Sequence, residues 1–148
     1  MYRFLSFIHT LIPVPAVYAH CDIPCGIYTS EPAHTAARSV VRMIELIEEL
    51  EVPDWGDASA VRKYENSMSR YVATKEQHAQ ICKDQLLILW TDFFGEEHLK
   101  MFPDLHDTFW KATKLCSQVK QEVSMDTAQE LLSAVENISK MFKKASVK

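Results

Sequence analysis

Residues 34–51 read HTAARSVVRMIELIEELE. Ala37, Val40, Val41, Ile44, Ile47 and Leu50 recur at steps of three and four, which puts them on one face of a helix. Pro53-Asp54-Trp55-Gly56 then breaks the pattern.

Three more helical stretches follow. The longest covers about 57–92, with Val61, Tyr64, Met68, Tyr71, Val72, Ile81, Cys82, Leu86, Leu89 and Trp90 as core candidates. Gly95 stands after it as a stop signal. The next runs through 96–122, and Pro103 divides it into a short turn and a longer helix, because proline suits a first turn better than an interior. Its apolar face is Leu105, Phe109, Trp110, Ala112, Leu115, Cys116 and Val119. The last covers about 125–144, with Leu131, Leu132, Val135, Ile138, Met141 and Phe142 inward, and Ser124 and Asp126 as candidate caps. No stretch alternates as a strand does. Four helices with short connections predict an all-α fold, an antiparallel up-and-down four-helix bundle.

Composition agrees. The chain has 148 residues, enough to bury a core without disulfides, and only three glycines. A net charge of -4 offers no basic field for nucleic acid. The basic cluster at Lys140, Lys143, Lys144 and Lys148 reads as a solvated helix end. Cys82 and Cys116 fall inside apolar helical patterns and read as buried thiols. Cys21 and Cys25 stand apart, in a short loop near the start of the chain.

Residues 1–19, MYRFLSFIHTLIPVPAVYA, place one basic residue, Arg3, before an apolar run that ends in Val17-Tyr18-Ala19. That ending has the form of a cleavage site and predicts a cut between Ala19 and His20. The run is too short, and too interrupted by Pro13 and Pro15, to span a membrane. A pro-segment removed in the cytoplasm fits better than an export signal, because one positive charge and two prolines make a poor signal peptide. The domain expected to remain is 20–148.

The segment thus freed reads His20-Cys21-Asp22-Ile23-Pro24-Cys25-Gly26-Ile27-Tyr28. It offers a terminal amine, an imidazole, two thiolates and a backbone amide. The amine, the Cys21 amide nitrogen and both sulfurs can lie in one plane around an ion. Pro24 and Gly26 permit the turn that returns Cys25 to Cys21. A planar nitrogen and sulfur set points to Ni(II) or Cu(II), whereas zinc prefers a tetrahedral set. Nickel suits paired thiolates better, since copper(II) oxidises them. A C-x3-C pair alone also fits a disulfide, ordinary thiols or zinc. It does not fit the thioredoxin spacing, nor the amino-terminal copper and nickel motif that needs histidine third.

The string HCDIPCGIY resembles the amino-terminal hook of nickel superoxide dismutases, H-C-x-x-P-C-G-x-Y, at every fixed position. KEQHAQICKDQLLILWTDFF at 75–94 and HLKMFPDLHDTFWKA at 98–112 are similar to that family's second and third helices. The resemblance implies that His20 supplies the amine and an axial imidazole, Cys21 an amide nitrogen and a thiolate, and Cys25 the second thiolate. It implies one nickel ion per subunit. Tyr28 is expected at the mouth of the site, and Asp22 and Pro24 are expected to hold the loop. Arg70 aligns with a family arginine near the axial histidine. One departure stands out: where the family often has a glutamate bonded to that imidazole, this chain has Ala36.

The resemblance further implies superoxide as substrate, Ni(II)/Ni(III) cycling, a homohexamer and a maturation protease; the pro-segment reading of residues 1–19 implies a cytoplasmic enzyme, and a signal-peptide reading an exported one. The alternatives from other classes are a non-redox nickel-delivery protein and a secreted helical module with a Cys21–Cys25 disulfide.

Overall fold

The computed structural model describes residues 27–146. Among them every regular element is helical: α1 Glu31–Glu48, α2 Ala58–Ile88, a π-helical turn Leu89–Phe93, α3 Glu96–Leu99, α4 Leu105–Gln121 and α5 Met125–Ser146. α1 begins earlier than the apolar pattern predicts, because Pro32 sits in its first turn, where proline is well tolerated. Asp57 caps α2: its carboxylate accepts from the Ser59 and Ala60 amides at 2.8 and 3.2 Å. Ser124 caps α5, its hydroxyl accepting from the Thr127 amide at 3.3 Å.

α1 packs on α2 and α5, and α4 packs on the same two helices, so the four long helices form an antiparallel four-helix bundle. Its core joins Ala37, Val40 and Ile44 of α1, Ala79, Cys82 and Leu86 of α2, Phe109 and Cys116 of α4, and Leu131, Val135 and Ile138 of α5. These are the faces expected from the spacing, with two corrections. Trp110 is 53% exposed and Ile81 37% exposed. Each stands about 100° around its helix from a fully buried neighbour, Phe109 or Cys82, and the bundle takes only one stripe.

The first half of α2 departs further. Val61, Tyr64, Met68, Tyr71 and Val72 are only half-buried, and the buried residues of α2 are Lys75, Ala79, Cys82 and Leu86. α2 has 31 residues against 18 in α1 and 17 in α4. Its amino-terminal half therefore outruns the helices that would cover it.

Lys75 is 2% exposed and was not foreseen in the core. Its ammonium donates to the carbonyls of Val119, Lys120 and Glu122 at 2.6, 3.1 and 2.8 Å. The last carbonyls of a helix lack partners of their own and carry its negative dipole end. A cation from α2 satisfies them at the end of α4. Burial pushes the Lys75 pKa below its usual value, against the opposing pull of Glu76 and Glu122.

Candidate metal centre

The turn after α2 builds the described edge of the site. The Phe94 amide bonds the Leu89 carbonyl at 3.0 Å, an i to i+5 link that widens the helix by one residue. The chain then leaves in an extended conformation at Phe94 and Gly95. His98 Nδ1 accepts the Gly95 amide at 3.0 Å and fixes the start of α3. The extra residue sets Phe93 and Phe94 edge-to-face, centroids 4.9 Å apart. Phe93 also meets Phe142 of α5 at 4.5 Å and stacks on His98 at 5.6 Å.

Tyr28 rests on this aromatic cluster. Its ring is half-buried and lies 5.7 Å from Phe93, two residues ahead of Ser30 and the start of α1. Cys25 is three residues earlier. A peptide spans at most about 3.6 Å per residue, so the Cys25 Cα lies within about 11 Å of the Tyr28 Cα whatever path joins them. Tyr28 therefore marks the part of the bundle that the cysteine pair can reach.

His20, Cys21, Asp22, Pro24 and Cys25, and the expected cut after Ala19, lie outside the described residues. Arg70 is described: it is exposed on α2 and lines an open depression with Met43, Asn66 and Tyr71. It precedes Phe93 by 23 positions, roughly 35 Å along the helix, so the structure does not bring Arg70 and Tyr28 together. Ala36, at the place of the family glutamate, is 2% exposed and packs into the core. Sequence reasoning passed over His78, whose Nδ1 is buried without a partner among the described residues. The available signal was a histidine flanked at helical spacing by Lys75 and Cys82 on the buried face of α2.

Among the described residues no group of three or more His, Cys, Asp or Glu side chains could hold a metal ion. Cys82 and Cys116 are fully buried free thiols. The Cys82 thiol hydrogen-bonds with Cys116, and this, with burial, drives its pKa far above the ordinary thiol range. A neutral core thiol is a poor metal ligand. Side-chain donor types that suit nickel, an imidazole and two thiols, occur in the sequence at His20, Cys21 and Cys25, outside the described residues.

Comparison with known proteins bears on the same segment. A family model for nickel-containing superoxide dismutase matches residues 15–146, a span that includes all of HCDIPCGIY. The superoxide dismutase [Ni] of Streptomyces seoulensis is 32% identical over 130 residues, covering 88% of this chain and 90% of that protein. The one from Streptomyces coelicolor is 30% identical over the same coverage. A solved structure of nickel-containing superoxide dismutase, with nickel ligation corresponding to the oxidised state, superposes with a TM-score of 0.73 at 29% identity, over 87% of this chain and 100% of that one. A native structure gives 0.70 at 29%, over 84% and 97%. The bundle, the buried face of each helix and the segment before Tyr28 thus converge on one assignment: this chain belongs to the nickel-containing superoxide dismutase family.

Proposed function

We infer that this chain is a superoxide dismutase with a nickel cofactor, converting two superoxide anions and two protons into dioxygen and hydrogen peroxide. The observation that carries this reading is the family match across 15–146, hook segment included. A delivery protein or a disulfide module finds no comparable support.

His20, through its freed amine and imidazole, Cys21, through its amide nitrogen and thiolate, and Cys25, through its thiolate, are the residues that would hold nickel. Bound there, nickel supplies one-electron oxidation and reduction of superoxide between its divalent and trivalent states, because thiolate and ionised-amide donors lower the potential between them. The chain's own groups do the rest. Cleavage after Ala19 exposes the amine. Pro24 and Asp22 hold the loop in shape. Tyr28, seated on Phe93, narrows the approach and orders water or an anion beside the thiolates. Ala36 cannot supply the carboxylate of the family glutamate, and Arg70, far along α2 from Phe93, is not placed to replace it within one chain. Each chain takes one nickel ion, and the chains assemble as a homohexamer after a maturation protease has cut. No helix among the described residues is long and apolar enough to cross a membrane, and we place the enzyme in the cytoplasm.

Protein begun at His20 and loaded with Ni(II) under reducing conditions tests this. The expected result is about one nickel per chain with superoxide removal, both lost in Cys21→Ser, while protein that keeps residues 1–19 stays inactive. Full activity in Cys21→Ser overturns the reading.

A further inference from the structure

The net charge of -4 repels superoxide on average, so any attraction must come from where the positive charges sit. Lys140, Lys143 and Lys144 are all exposed near the end of α5, and none joins an ion pair among the described residues. The cluster reads from sequence as a solvated helix end. The fold gives it an address. Phe142, next to Lys143, meets Phe93 at 4.5 Å, and Phe93 meets Tyr28 at 5.7 Å. Lys144 extends over the Phe102 ring at 5.6 Å.

Lys140 and Lys143 also line a depression of about 210 Å³ with Ser30 and His34, where the chain turns from Tyr28 into α1. The Ser139 hydroxyl, buried and without a partner among the described residues, lines the same hollow. Two carboxylates stand there as well, Glu31 and Glu136, the latter 3.8 Å from His34 Nε2. They offset two of the three lysines, and Glu97, 3.7 Å from the His98 ring that stacks on Phe93, adds a further carboxylate nearby.

We propose that Lys140, Lys143 and Lys144 form a basic rim that draws superoxide to the cysteine pair ahead of Tyr28. The proposal rests on the dismutase reading and adds positioning residues for the substrate. At a point on the order of 15 Å away, three unit charges acting through water raise the local concentration of a monovalent anion about fourfold. Salt removes the effect, because the screening length is about 10 Å at 0.1 M and about 3 Å at 1 M.

Two measurements on K140Q/K143Q/K144Q and on the matching triple arginine variant test it. The first needs no metal: in the reduced, metal-free full chain, the alkylation rates of Cys21 and Cys25 by iodoacetate, an anion, and by neutral iodoacetamide are compared. The ratio of the two rates should fall about fourfold in the glutamine variant and return in the arginine variant, with the iodoacetamide rate unchanged. The second is kcat/KM for superoxide against ionic strength in nickel-loaded enzyme. It should fall about fourfold in the glutamine variant at low salt and converge with wild type at about 1 M. Wild-type turnover with both the rate ratio and the salt slope unmoved by the glutamine variant overturns the rim alone. A charge-dependent ratio in a nickel-loaded wild type that removes no superoxide overturns the dismutase reading instead.

Discussion

Lys75 Nζ, on α2, donates a 2.6 Å hydrogen bond to the Val119 carbonyl near the end of α4, across 44 positions of sequence. The same ammonium reaches Lys120 and Glu122. One buried cation thus closes a helix terminus and ties two helices of the bundle together at the point where the chain turns toward α5.

Removing that cation should be expensive. Lys75→Met keeps the volume and the apolar stem but leaves three carbonyls at the end of α4 without their donor. Leaving a buried acceptor without its donor costs about 1 to 3 kcal/mol, and methionine packing returns part of what the three carbonyls lose, so a net loss of about 2 kcal/mol is expected. Urea unfolding followed by far-ultraviolet dichroism measures it. A change below about 1 kcal/mol would mean that water replaces the ammonium at no great penalty.

The same residue sets a pH dependence. In the folded chain Lys75 titrates below its ordinary value of 10.5, chiefly because burial strips its water. Between the folded value and 10.5 the unfolded chain binds more protons than the folded one, so stability rises with pH across that window. Below the window both states are protonated, and above it neither is, so no slope remains. Comparison with Lys75→Met from about pH 8 to about pH 11 removes the contribution of every other lysine and tyrosine. The wild type should gain on the variant as pH rises through the window.

Cys82 and Cys116 should behave as inert core thiols. Both are fully buried, and the thiol of Cys82 is held neutral by its hydrogen bond with Cys116 and by burial. In the metal-free, reduced native protein a thiol reagent should titrate Cys21 and Cys25 quickly, and all four cysteines only after denaturation. Peptide mapping after peroxide treatment should find Cys82 and Cys116 still reduced. Rapid native labelling of Cys116 would show that α2 and α4 part more readily than their packing implies.

Much of the bundle could be read from spacing because each helix buries one stripe, and a stripe of period 3.6 is visible in letters. Cys82, Phe109, Cys116, Val135 and Ile138 were placed correctly for that reason. Trp110 and Ile81 were not, since hydrophobicity alone does not say where a stripe ends. Lys75 was invisible because a lysine reads as solvent-facing, and only the meeting of two helix ends gives it partners. The π-helical turn at Leu89–Phe93 was hidden too: its mark is the i to i+5 bond from the Phe94 amide to the Leu89 carbonyl, which no apolar spacing announces. The hook is the reverse case. Its chemistry stands in nine consecutive letters, whereas the bundle's own cysteines, buried and neutral, offer none of it.

Tyr28 lets the two roles of that edge be separated. Its ring packs on Phe93 and the core, and its hydroxyl is the one polar group of the side chain. Tyr28→Phe keeps the ring, so stability should change by no more than about 1 kcal/mol, the scale of one hydrogen bond. Tyr28→Ala removes ring and hydroxyl together from a half-buried site and should lower stability by about 2 kcal/mol, less than a fully buried aromatic would. If the hydroxyl orders water or an anion at the thiolates, Tyr28→Phe should alter turnover at high superoxide while nickel content stays at one per chain. Unchanged kinetics in Tyr28→Phe, with loss of stability in Tyr28→Ala, would assign the residue to packing alone and move the gate elsewhere.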